Sequence, residues 1–138
     1  MSTVLDPARK RPEFRNIHVT QIVRYRLPPA GIVSILHRVS GALLFLLLPF
    51  LVWIFELSLS SELSFARLKD VASHWFVKLV LLAVLWGFLH HLVAGIRYLV
   101  LDLHIGIDKA AATKSALAVL AVSLTLTLVA GLRLFGVI

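Results

Sequence analysis

Three stretches of this chain are too long and too continuously apolar to be packed inside a domain of its size: residues 31–57, 75–101 and 115–138. Each exceeds the roughly 20 residues that a helix needs, at about 1.5 Å per residue, to cross a hydrocarbon core about 30 Å thick. Hydrophobic residues make up 59% of the 138-residue chain and charged residues 15%, whereas a water-soluble domain carries about 25% charge. In lipid, only helices and closed barrels satisfy every backbone polar group internally. The pattern therefore predicts an all-α membrane protein of three transmembrane helices. Residues 1–30 are polar and basic and read as a cytoplasmic or interfacial segment, with 31–138 forming one transmembrane domain.

Local signals refine this plan. Leu27-Pro28-Pro29 closes the basic segment and sets up a helix start. The apolar core of span one, ALLFLLLPFLVWIFEL from Ala42, is too short alone, so GIVSILHRVSG before it must also enter the membrane and carry polar residues in with it. Pro49 should bend this helix. A polar stretch, SLSSELSFARLKD, ends in a weak amphipathic tail to Ser73. Span two, about 27 residues or roughly 40 Å long, must tilt or protrude. The loop DLHIGIDKAAATK then leads to span three, whose one charge, Arg133, can snorkel to the far interface. The N-terminus contains Asp6 and Glu13 and runs into no short apolar region with a cleavage site, unlike a signal or transit peptide.

Loops rich in Lys and Arg stay on the cytoplasmic side. Arg9, Lys10, Arg11, Arg15, Arg24, Arg26 and Arg38 precede or open span one, and Arg97, Lys109 and Lys114 flank the second loop. The opposite side has only Arg67, Lys69, Lys78 and Arg133. The expected orientation is N-terminus cytoplasmic and C-terminus periplasmic. The net charge of +7 does not point to nucleic acid, because the basic residues cluster beside apolar spans instead of alternating with aromatics. The chain has no cysteine, which excludes disulfides, thiolate-bound iron-sulfur or zinc centres and covalent c-type haem. Any redox centre it holds must hang on histidine.

Two stripes carry the candidate chemistry. In span one, Ser34, His37, Arg38 and Gly41 recur at helical spacing and share a face. They bring a hydroxyl, an imidazole and a guanidinium together in the first turns, where Arg38 either faces a partner in the bundle or snorkels to headgroups. In span two, His91, Ala94, Gly95 and Tyr98 form a second stripe with Asp102 one turn beyond. Small residues beside a histidine leave a groove wide enough for a flat macrocycle, and haem iron ligation is the most economical role for an imidazole at this depth. The alternative is a histidine hydrogen-bonded to a neighbouring helix. His90 points about 100° from His91, so the two cannot serve one iron from the same side. Arg97 either clamps a carboxylate such as a haem propionate or snorkels. His104 and Asp108 read as solvated loop residues, and His18 and His74 as interfacial.

These stripes resemble the cytochrome b membrane anchors of succinate dehydrogenases, the larger of two anchors in respiratory complex II. The matching residues are Arg11-Pro12, the run SILHRVSG from Ser34 to Gly41, SLSS from Ser58, and H-x3-G-I-R from His91 through Gly95, Ile96 and Arg97 to Asp102 further on. The resemblance covers nearly the whole chain. It implies a subunit of the bacterial inner membrane that packs with a second, smaller anchor into a helix bundle and docks an iron-sulfur subunit and a flavoprotein subunit. It further implies that His91 is one axial ligand of a b haem, with the other ligand from the partner anchor. Ser34 and Arg38 would belong to the ubiquinone site, and His37, Arg38, Gly95, Arg97 and Tyr98 would lie at the haem pocket and propionates. Close relatives carry histidine where this chain has Tyr98, and a phenol can still donate one hydrogen bond. Such a chain is not a complete enzyme; succinate oxidation would occur on the partner subunits. Two alternatives remain at this point: an anchor of a fumarate reductase using menaquinol, and a small non-redox membrane protein whose histidines merely pack.

Overall fold

The computed structural model describes residues 24–137 together with His18 and Thr20. Asp6, Arg9, Lys10, Arg11, Pro12, Glu13 and Arg15, which entered the arguments on targeting, orientation and resemblance, lie outside the described residues, as does Ile138.

Among the described residues four helices follow one another: α1 (Pro29–Ser60), α2 (Glu62–Ser73), α3 (Trp75–Asp102) and α4 (Lys109–Leu134). Three of them, α1, α3 and α4, with 32, 28 and 26 residues, are long and apolar enough to cross a membrane. The start of α1 lies where the prolines put it, with Pro28 as the extended N-cap and Pro29 in the first turn. Pro49 sits inside α1 and the helix runs on through it to Ser60. The weak amphipathic tail is a separate helix, α2, opened by a reciprocal capping box between Ser61 and Ser64. His74 is at once the C-cap of α2 and the N-cap of α3, so the chain turns from one helix to the next at a single residue.

Helix α4 begins at Lys109, ahead of the Ser115 expected for span three. The reason is Asp108, whose carboxylate accepts from the amides of Ala110 and Ala111 at 3.0 and 2.9 Å. Such a cap stabilises a helix start by about 1 kcal/mol, and the alanine run behind it favours the helix. Asp108 is therefore exposed, as expected, but not merely a solvated loop residue. At the other end, Val137 N donates to Leu132 O and Gly136 N to Arg133 O, with Gly136 at φ 74°. That is a Schellman closure, in which glycine removes the cost of the left-handed position.

The three long helices meet around Val33, Ala94, Ala116 and Val119, all buried, with Ala30, Val93, Tyr98 and Leu120 packed against them. Small side chains at this junction let the helix backbones approach, as in other lipid-embedded bundles. Much apolar surface is left uncovered: Phe45 is 75% exposed and Leu46 73%. In a chain that spans a membrane, this surface faces lipid or neighbouring subunits.

Candidate functional site

The two stripes meet. Helix α1 packs on α3, and the rings of His37 and His91 stack between them, their centroids 4.2 Å apart and their planes within 2° of parallel. Glycines make the approach possible in a reciprocal way. A Cβ added to Gly41, on α1, would stand 2.7 Å from His91 Cε1, closer than carbon atoms tolerate. A Cβ on Gly95, on α3, would meet His37 Nε2 at 3.7 Å, an ordinary contact. Each helix thus offers its glycine to the histidine of the other.

Hydrogen bonds then orient His91. Its Nδ1 lies 3.0 Å from the backbone carbonyl oxygen of His37 and 3.3 Å from Ser40 Oγ. A carbonyl can only accept, so Nδ1 carries the proton and the lone pair of the neutral imidazole is on Nε2. Ser40 Oγ itself donates to the same carbonyl at 3.0 Å, and its side chain is only 6% exposed. Histidines that bind metals usually make this second bond to a carbonyl or carboxylate, which fixes the tautomer and the ring orientation. Nε2 makes no hydrogen bond to the described residues. Among the described residues no three His, Asp or Glu side chains cluster as a metal site, so a metal held by this chain would be held by imidazole singly or in a pair.

Tyr98 and Arg97 continue the site toward α4. The Tyr98 ring lies 5.0 Å from the His37 ring, and its buried hydroxyl has no hydrogen-bond partner. The Arg97 guanidinium stands 5.4 Å from the Tyr98 ring centroid. Arg97 is 8% exposed and held inside the bundle. Its Nε donates to Ser115 Oγ at 2.9 Å and its Nη2 to Ala112 O at 3.2 Å, tying α3 to the first turns of α4. The early start of α4 at Lys109 supplies these partners.

Ser34 and Arg38 share their face of α1, with Ser34 half-buried and Arg38 exposed, and neither makes a hydrogen bond to another described residue. His90 differs sharply from its neighbour. It is wholly buried in the three-helix junction, and neither ring nitrogen makes a hydrogen bond of good geometry to a described residue, although the Val33 backbone lies within electrostatic reach. Trp86 lies next to it, with ring centroids 5.5 Å apart. A cleft of about 710 Å³ opens elsewhere between α3 and α4, lined by Leu82, Trp86, Leu128 and Phe135 among others. None of the candidate residues lines it, and its wall is almost wholly apolar, so the histidine pair and not this groove is where the chemistry gathers. The roles of Ser40 and Gly41 were missed by the sequence reading, although both stand in the SILHRVSG run. The signal was present as two small residues one helical turn after His37.

Residues 10–130 match the family described as the succinate dehydrogenase/fumarate reductase transmembrane subunit. The chain belongs to this family. It is 37% identical to the succinate dehydrogenase cytochrome b556 subunit of Coxiella burnetii over 83 residues, which are 59% of this chain and 66%, just under two thirds, of that one. The cytochrome b556 subunit of Paracoccus denitrificans is 33% identical over 102 residues, 74% of this chain and 78% of the relative. That of Rickettsia felis is 30% identical over 119 residues, 86% and 89% of the two chains. The resemblance read from SILHRVSG and H-x3-G-I-R is thus borne out, and the non-redox alternative falls away. Both motifs lie inside the matched residues.

Proposed function

We propose that this transmembrane subunit is the haem-bearing anchor of a bacterial succinate dehydrogenase, with His91 Nε2 as one axial ligand of a b haem and Ser34 and Arg38 at a ubiquinone-reduction site. The observation that carries this reading is the hydrogen bond from His91 Nδ1 to the His37 carbonyl at 3.0 Å. It leaves the lone pair on Nε2, in a ring held by its stack on His37 and admitted by Gly41. Bound there, a b haem supplies a one-electron store.

The chain's own residues bind and orient. His91 offers one ligand nitrogen. Tyr98, whose buried hydroxyl lacks a partner, can donate to an anionic propionate, and Arg97 lends positive charge behind it. Arg38 and the Ser34 hydroxyl stabilise negative charge developing on quinone oxygens, as preorganised donors do in a low dielectric. Succinate oxidation belongs to a flavoprotein subunit, and electrons reach the quinone through an iron-sulfur subunit. A second small anchor supplies the other haem ligand. The Lys and Arg residues that precede α1, with Arg38 inside it, support a cytoplasmic position for the N-terminus and for that docking face. The family description covers fumarate reductases too, but the relatives named above are succinate dehydrogenase subunits, which favours ubiquinone as acceptor over menaquinol as donor.

A reduced-minus-oxidised absorption spectrum of the purified complex tests the reading. The expected result is a b-type haem band that copurifies with this chain and is lost or shifted in His91→Ala. A complex without that band, or an unchanged band in the variant, would overturn it.

A further inference from the structure

Ser40 stands where it can act on the ligand nitrogen of His91 without touching any cofactor. Its hydroxyl donates to the His37 carbonyl at 3.0 Å, the acceptor that also takes the His91 Nδ1 proton at 3.0 Å. Ser40 Oγ is itself only 3.3 Å from Nδ1. Carbonyl, hydroxyl and imidazole therefore form a closed triangle, and all of it is shielded, since Ser40 is 6% exposed. A serine in a helix commonly donates to a carbonyl one turn back. Here that carbonyl faces across to the other helix and orients an imidazole, which a simple packing serine does not require.

The electronic consequence follows from sharing. The carbonyl oxygen, already the acceptor of the helical amide one turn on, takes the Ser40 and His91 protons as well. The Ser40 proton therefore weakens the pull of that oxygen on the Nδ1 proton by more than the longer 3.3 Å contact of Nδ1 with the Ser40 oxygen restores. A weaker pull leaves less negative charge on the imidazole ring and makes Nε2 a poorer electron donor. Hydrogen bonds to the far nitrogen of a ligating histidine tune ligand basicity in this way, and a more basic ligand favours the oxidised metal.

We propose that Ser40 is a positioning residue that holds the haem potential up by competing with His91 for the His37 carbonyl. The proposal rests on His91 being the haem ligand, as set out above. No bond is made or broken in this role; the hydroxyl proton stays on Ser40, and only the strength of the neighbouring bond changes.

Redox titration of the haem band in the purified complex tests it, with Ser40→Ala and Ser40→Thr beside the unsubstituted protein. Ser40→Ala should retain haem in full ratio to the complex, while the equilibrium constant for one-electron reduction falls by a factor of about 2 to 10, at most roughly 59 mV toward lower potential. Ser40→Thr keeps a hydroxyl that can reach the same carbonyl and should titrate like the unsubstituted protein. An unchanged or raised potential in Ser40→Ala would overturn the proposal. So would an equal shift in both variants, which would trace the effect to packing, or loss of haem from Ser40→Ala, which would make the serine a structural requirement. The underlying assignment fails differently: an unchanged haem band in His91→Ala would remove the ligand role itself, whatever Ser40 does.

Discussion

His91 donates from Nδ1 to the backbone carbonyl of His37 at 3.0 Å, and the two rings stack 4.2 Å apart and within 2° of parallel. One residue thus orients the other twice, by its carbonyl and by its ring. The bond selects the tautomer of His91, and the stack fixes the plane in which the Nε2 lone pair lies. Neither effect needs a charged group, which suits a seam between helices in a low-dielectric environment where an unpaired charge is costly.

The adjacent histidines should behave oppositely on substitution. His91→Ala removes the ligand nitrogen and should abolish or strongly alter the b-haem spectrum. His90 is wholly buried, with neither nitrogen in a hydrogen bond of good geometry to a described residue and only the Val33 backbone in reach, and such a group carries a desolvation cost of about 1–3 kcal/mol. His90→Leu should leave the spectrum intact and hold or raise the thermal stability of the complex in detergent. A clear loss of stability would show that His90 finds a partner in the assembled complex.

Gly41→Ala should damage the site more than its single methyl suggests. The new Cβ would lie 2.7 Å from Cε1 of a ring already held at Nδ1, so either the ring turns and loses its bond or the helices move apart. Overpacking of this kind costs about 1–3 kcal/mol. The measurable outcome is a perturbed haem spectrum together with a lower unfolding temperature. An unaltered spectrum would mean that the seam relaxes without moving His91.

Much of this could be read from the sequence, for identifiable reasons. The three long helices follow from apolar length, and the helix faces on which Ser34 and His91 stand from helical period. The start of α4 at Lys109 was not legible by apolarity, because Asp108 and the alanines act through capping and propensity instead. The bonds from Arg97 to Ala112 and Ser115 were not legible either, since these partners lie on a helix that seemed to start later. The seating of His91 against Ser40 and Gly41 depends on how two helices cross, which periodicity on either one alone does not specify.

Arg97→Lys keeps the charge but cannot reproduce the guanidinium fork that bonds Ser115 Oγ and Ala112 O. Charged hydrogen bonds contribute about 1.5–3 kcal/mol each, so the variant should lower the thermal stability of the subunit by a few degrees or more. The haem band should persist, since His91 is untouched. Full stability in Arg97→Lys would remove the role of this residue as the tie between α3 and α4.

Ser34→Ala and Arg38→Leu separate the quinone site from the rest of the complex. Succinate oxidation measured with an artificial electron acceptor should stay near normal, because the proposed function assigns it to other subunits. Ubiquinone reduction should fall by about tenfold or more, as when a preorganised donor is removed from developing negative charge. Equal loss in both assays would point to failed assembly and would leave these residues without a quinone role.

Expressed without its partner anchor, this chain should not form a low-spin, six-coordinate haem. Two axial imidazoles must direct their lone pairs at one iron from opposite faces, and lone pairs lie in the ring plane. The His37 and His91 rings are stacked with centroids 4.2 Å apart and planes within 2° of parallel, so their lone pairs lie in parallel planes and cannot converge. His90 cannot replace His37, because it lies sealed in the junction of α1, α3 and α4. Haem reconstitution into the isolated chain, followed by absorption and electron paramagnetic resonance spectra, gives the answer. Weak or high-spin binding alone, converted to a low-spin spectrum on co-expression with the second anchor, is the expected result. A bis-histidine low-spin spectrum from the single chain would require the stacked pair to come apart, and would refute a ligand shared between subunits.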